Sequence, residues 1–247
     1  MSNENKTLVP VWIVYVDGKR LDTKHEGALK KIVVSDRLNG VGTFSLLFDI
    51  SAEKLLELGT FSLESQISIH LGYKDDVEEV FDGEITAFAG RFEEFGHEMV
   101  EVRGCNALYK LKHGIHFISY ENKSCSDVIK DIIENYSLSA ETDSFGANLT
   151  FESAEGLSDY DFLMRAAERY GKDVYAYGNK IYVKDSIEVR SDEVIFEWGK
   201  SLISFFPLKD ISELYSECNS IGWDSIKCEG FHGAATISDI ANNVGGT

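Results

Sequence analysis

Short apolar runs broken by turn residues fill the first 111 positions of the chain. Val11–Val16 is apolar throughout, as in a strand buried on both faces, and Asp17-Gly18 supplies a hairpin turn into Lys19-Arg20-Leu21. Leu29–Val34 and Thr43–Phe48 predict a second pair, and Gln66–Tyr73 alternates with a period of two. Val80–Phe88 and Met99–Val102 add further strands, and Ser51 and Gly59 bracket a short predicted helix over 52–58. Strands this short and this dense predict an antiparallel barrel or sandwich up to Leu111. Gly83 interrupts its strand, which predicts a bulge or a close backbone approach.

From Ser119 the period becomes helical. Ser124 or Ser126 caps a helix with Val128, Ile129, Ile132, Ile133 and Tyr136 on one face and Lys130, Asp131 and Glu134 on the other. A second helix follows Ser158, its N-cap, with Asp161 in a position like that of a capping box. Phe162, Leu163, Ala166 and Tyr170 form its stripe, Arg165 and Arg169 lie toward its negative end, and Gly171 supplies a left-handed stop. Val174–Tyr177 and Ile181–Val183 then flank Gly178-Asn179, a hairpin turn. Strand-like runs resume at Val194–Gly199, Leu202–Pro207 and Cys218–Asp224.

The run from Ser158 to Gly171 resembles the helix–hairpin of the phage late control protein D and VgrG family, the tail hubs of contractile injection machines. Ser158, Asp159, Asp161, Phe162, Leu163, Arg165, Ala167, Glu168, Arg169 and Gly171 carry that resemblance in order. Phe81, Gly83, Ile85 and Thr86 are similar to the family's x-F-x-G-x-I-T strand, and Gly222, Trp223 and Asp224 to its G-W-D strand end. Asn106 stands where the family more often has Asp. The resemblance implies an α+β, mainly β protein. Its expected parts are a flexible N-terminus (1–7), a first antiparallel β-barrel domain (8–118), an α/β helix–hairpin module (119–186) and the incomplete start of a second β-barrel (187–247).

It further implies a homotrimeric structural hub that adapts a hexameric tube to a trimeric spike, with tube, spike and other baseplate proteins as partners. The helix–hairpin is then expected outside the ring, against neighbouring baseplate parts. Strand edges around Gly83 and Gly222 are expected pairing surfaces between protomers. The alternatives are a peptidoglycan-degrading enzyme of the tail tip and a carbohydrate-binding β-protein.

Charge narrows the choice. The chain has 42 acidic and 24 basic residues and a net charge of −18, which argues against direct nucleic-acid binding and against adhesion to an anionic membrane. No apolar run approaches the roughly 18 residues that span a bilayer, so membrane insertion is not expected. MSNENKTLVP lacks the pattern of a secretory signal, so synthesis in the cytoplasm and assembly into a particle are expected.

The four cysteines show no framework spacing and read as free thiols. His113-x-x-His116 would point to opposite faces of a strand and lacks further ligands, so no metal is expected. Asp75-Asp76 and Glu78-Glu79 lack the alternate spacing of a calcium loop and read as a solvated hairpin tip. No nucleophile elbow, Walker loop or dinucleotide fingerprint is present, so no catalytic residue, no cofactor and no enzymatic activity are expected.

Overall fold

In the computed structural model the described residues are 9–51, 54, 60–73, 76–92, 98–115, 119–146, 152–153, 156–185, 195–199, 202–208, 215–224 and 227–236. The predicted helix over 52–58 lies almost wholly outside them. The chain divides into two units, Met1–Ser186 and Ile187–Thr247.

Seven antiparallel strands form the first layer of unit one. They are β1 (Pro10–Val16), β2 (Lys19–Arg20), β3 (Leu29–Ser35), β4 (Thr43–Phe48), β5 (Gln66–Tyr73), β6 (Asp76–Arg91) and β7 (Met99–Cys105), in the spatial order β2-β1-β5-β6-β7-β4-β3. Helix α1 (Thr23–Ala28) lies between β2 and β3 in the chain. The β1–β2 turn has Asp17 and Gly18 both at positive φ (49° and 73°), the backbone a two-residue hairpin turn requires. Alternate residues face one core: Val14 and Val16, Ile67 and Ile69, Phe81 and Ile85, Val100 and Val102, Phe44, Leu46 and Phe48. The mainly β, antiparallel architecture is the one expected from sequence; among the described residues β2 and β3, at the two ends of this order, are not paired with each other.

β6 is longer than its apolar pattern suggests, because Asp76, Glu78 and Glu79 continue the strand instead of forming a solvated tip. Two irregularities bracket its centre. Val80 has no partner where Ile69 pairs with Phe81 and His70 with Glu79. Thr86 is likewise passed over between Ile85↔Gly104 and Ala87↔Arg103. Between the bulges Phe81 and Ile85 share the core face by alternation, and the one at Thr86 returns Phe88 to it. Gly83 lies between them, and a Cβ there would stand 2.4 Å from the Cys105 carbonyl oxygen. Close backbone approach therefore explains this glycine. Gly83 pairs with Ile67 of β5 on one side, and on the other side pairing with β7 begins at Glu84↔Cys105.

A second core begins at the 3-10 helix Ala107–Lys112, whose Ala107, Leu108 and Leu111 are buried with the residues that follow. The chain then forms β8 (Ser119–Tyr120), α2 (Cys125–Glu134), β9 (Ser139–Thr142), β10 (Glu152–Ser153), α3 (Asp159–Arg169), β11 (Lys172–Tyr177) and β12 (Lys180–Asp185). β11, β12 and β9 make a sheet in that order, with β9 parallel to β12. Val128, Ile129, Ile132 and Ile133 of α2 and Phe162, Leu163, Ala166 and Ala167 of α3 pack with Val174, Ala176, Ile181 and Val183 of the hairpin.

Among its described residues unit two contains one hairpin, β13 (Glu217–Asp224) with β14 (Glu229–Thr236), and an isolated Trp198–Leu202 bridge. The strands expected at 194–199 and 202–207 reduce to that bridge among the described residues. Gly199 turns the chain there at φ 81°.

Two glycines test the packing reading. Gly83→Ala should destabilise by about 1–3 kcal/mol, because backbone must move to admit the methyl group. Gly27→Ala, exposed in α1 with nothing within 4 Å of its Cβ position, should stabilise by about 0.4–1 kcal/mol. Chemical denaturation of the two variants beside the parent measures both.

Candidate functional site: the seam between the two cores

The helix–hairpin motif is explained first by its own interior. Ser158 caps α3 by accepting from the Asp161 backbone N–H at 3.1 Å, and its hydroxyl donates to the Asp161 carboxylate at 2.6 Å. Asp161 thus closes the box through the cap hydroxyl, a carboxylate too short for the usual return to the backbone. Asp159 is buried in the first helical turn and accepts from the Tyr136 hydroxyl at 2.7 Å. Burial, and then that bond, push Tyr136 up to about 12. Phe162 and Leu163 are buried, whereas Arg165, Glu168 and Arg169 are exposed and Arg169 lies over the Tyr170 ring. Gly171 ends the helix at φ 62°.

The apolar face of this module is therefore spent on its own chain. Phe81, Gly83, Ile85 and Thr86 lie together in β6, far along the chain from the Ser158–Gly171 cluster. In unit two, Gly222 pairs with Phe231, whose ring would lie 2.1 Å from a Cβ on Gly222, and Trp223 is exposed. Asp224 pairs with Glu229 at the end of that hairpin. His113 packs edge-on against Tyr109, and His116 lies outside the described residues. Among the described residues no cluster of three His, Cys, Asp or Glu side chains could hold a metal ion.

What joins sheet to module is a polar seam. Asn39, in the loop between β3 and β4 at φ 57°, donates its backbone N–H to the Val174 carbonyl at 2.8 Å and accepts the Val174 N–H on Oδ1 at 2.7 Å. Its Nδ2 donates to Asp173 at 2.7 Å. One asparagine thus imitates a neighbouring strand along the outer edge of β11. Three carboxylates of β6 complete the seam. Glu84 accepts from the Tyr109 hydroxyl at 3.0 Å and pairs with Lys110, and burial, then this contact, push Tyr109 up to about 12. The Glu79 carboxylate, near the Tyr177 hydroxyl of the hairpin, raises the pKa of that tyrosine. Asp82 accepts from Gln66 at 2.5 Å beneath the hairpin turn, and burial, then the nearby Glu79 charge, raise it to about 6.

A second network lies on the outer face of the first sheet. Buried Glu101 accepts from Arg103 at 2.6 Å, from Ser45 at 2.5 Å and from Arg91 at 2.9 Å, and the Arg103 bond first among these holds its pKa at about 2.

Sequence reading passed over Asn39, Asp82, Glu84 and Glu101. Asn39-Gly40 has the composition of a tight turn, which hides a partner more than a hundred residues away. Asp82 left a trace, a carboxylate amid the apolar positions of a strand, yet its partners are distant in sequence.

The fold so defined is that of phage tail proteins. The chain is similar to the 43 kDa tail protein of prophage MuSo2 from Shewanella oneidensis, at 14% identity and a TM-score of 0.67 over 94% of this chain and 70% of that one. It is similar to a tail protein from Neisseria meningitidis (13% identity, TM-score 0.58, 87% of this chain and 61% of that one). Prophage tail protein gp18 from Listeria monocytogenes also matches (12% identity, TM-score 0.57, 95% and 69%). The chain spans between 61% and 70% of the length of these three proteins. No curated protein matches by sequence. A family model described as the Alg8 N-terminal domain matches residues 6–245, and the chain belongs to that family.

Two substitutions test the seam. Asn39→Ala should cost about 1–3 kcal/mol, since it leaves the Val174 N–H without its partner. Asn39→Asp should be worse near neutral pH and recover toward acid, because it places a second carboxylate against Asp173. Thermal melts of both across pH check this.

Asp82 and Glu101 act in opposite directions. A carboxylate whose pKa is raised on folding gives stability that is present below its unfolded value near 3.8 and is lost as pH rises through about 6. Asp82→Asn should therefore gain stability over the parent between pH 4 and 7 and level off above. Glu101, with its pKa lowered, contributes stability above its unfolded value near 4.5 that is lost as pH falls through about 2. Denaturant midpoints of parent and Asp82→Asn over this range should diverge, and parallel curves would refute the assignment.

Proposed function

We propose that the chain is a structural hub protomer of a phage tail or phage-tail-like contractile injection system, related to the late control protein D and VgrG hubs. The observation that carries this reading is the tail-protein fold over 94% of the chain, at a TM-score of 0.67. The collinear motifs at Phe81–Thr86, Ser158–Gly171 and Gly222–Asp224 support the narrower hub assignment. In this role the protein works as a homotrimer between a hexameric tube and a trimeric spike and contacts other baseplate proteins. It carries load and matches symmetries without catalysis. Asp82 and Glu101, whose titration is strongly displaced, are engaged by the seam and by arginines, so no observation favours the wall-degrading alternative.

The test is to express the chain with its neighbouring genes, purify the particles and reconstruct them by electron cryomicroscopy. Three copies at the junction of tube and spike are expected. Particles that form fully without the chain would contradict the hub role. Sustained peptidoglycan turnover by the purified protein would contradict the non-catalytic part.

A further inference from the structure

Strand β6 is electrically polar along its length. Its first nine residues contain Asp76, Glu78, Glu79, Asp82 and Glu84, and its last seven contain a single charge, Arg91. At about 3.3 Å per residue these ends lie some 50 Å apart along the strand, less what the bulges remove. Glu79, Asp82 and Glu84 are engaged in the seam. Asp76 and Glu78 are exposed, and neither has a hydrogen bond or ion pair among the described residues. Beside them in register stand Tyr73 and Leu71, 51% and 36% exposed. This end of the sheet is an apolar ridge flanked by two exposed carboxylates.

The other end presents the complement. Across β3, β4, β7 and β6 the register aligns Val33, Ser45, Arg103 and Ala87 in one row and Lys31, Leu47, Glu101 and Ala89 in the next. Small side chains leave a groove of about 400 Å³ lined by Val33, Thr43, Ser45, Thr86, Ala87 and Arg103. Glu101 beneath it takes one guanidinium nitrogen from each of Arg91 and Arg103 and holds both side chains in place while leaving them half exposed. Each arginine keeps further N–H donors for an outside acceptor. Lys31, Arg91 and Arg103 lie on this face with buried Glu101, and Glu84 in the neighbouring row is paired with Lys110, on a chain whose net charge is −18.

We infer that the β5–β6 end of one copy, with Tyr73, Leu71, Asp76 and Glu78, docks in the arginine-flanked groove of a second copy. Such a contact is head-to-tail and heterologous, so it closes into a ring when the rotation between copies permits. Only that closure rests on the hub reading; the contact itself rests on charge and shape. The apolar ridge fills the groove and the forked arginines select carboxylates, which provides register as well as attraction.

The experiment measures self-association of the full chain by sedimentation velocity at about 150 mM salt. There a Debye length of ~8 Å screens the repulsion between acidic chains more than it screens close pairs. Asp76→Lys with Glu78→Lys should weaken association by about tenfold or more, on the scale of close interfacial charge pairs. Ala87→Glu should do the same from the groove side, because it fills the groove and sets a carboxylate across from Arg103. Combining all three substitutions should recover a large part of the loss. A photo-crosslinking residue at Tyr73 should join to peptides from 85–91 or 99–105 of another copy.

A parent chain that stays monomeric at 100 μM (roughly the upper range of such measurements) would overturn the inference. So would single-site variants that associate as the parent does, a combination with no recovery, or crosslinks confined to other peptides. Each of these results leaves the hub reading to its own particle test. Chains absent from particles, yet associating as described, would remove the hub reading and keep the contact.

Discussion

Three carboxylates on one strand line the seam where the second core of the protein meets the first. Glu79, Asp82 and Glu84 leave the outer face of β6 and meet Tyr177, the turn at Gly178, Tyr109 and Lys110, while Asn39 stitches the opposite loop to the edge of β11. Burying them has a cost, visible in the raised pKa of Asp82. The seam accepts that cost because hydrogen bonds with fixed directions set a single register between two bodies, which apolar contact alone does not. Sheet and helix–hairpin module are thereby held as one unit.

This arrangement alters the meaning of the motif that stands out most in the chain. Ser158, Asp159, Phe162, Leu163 and Gly171 serve the internal construction of the module: a cap, a buried acceptor for Tyr136, a core and a stop. Gly83 does similar service in the sheet by admitting the backbone of β7. These residues thus mark the way the body is built.

Much of the fold was legible because its signals are local. Period-two alternation located β5, the stripe from Val128 to Ile133 located α2, and Asp17-Gly18 and Gly178-Asn179 located hairpin turns. The full length of β6 was not legible, since Asp76, Glu78 and Glu79 have the composition of a loop and are held extended by pairing with β5. The seam was less legible still. Asn39 and Val174 are separated by 135 positions, and nothing in either neighbourhood names the other. Polar contacts of this kind are properties of the assembled body, whereas caps and stripes are properties of a segment.

In the proposed hub role, a body that transmits force between a tube and a spike must not open along its own seam. Native-state hydrogen exchange read by mass spectrometry tests that claim most directly, through the opening free energies of peptides from α3–β12 and from β6–β7. If the seam welds the two cores, both sets exchange through one shared opening, and Asn39→Ala lowers both by the same amount. A helix–hairpin module that opens at distinctly lower free energy, with the sheet unaffected by Asn39→Ala, would contradict the account.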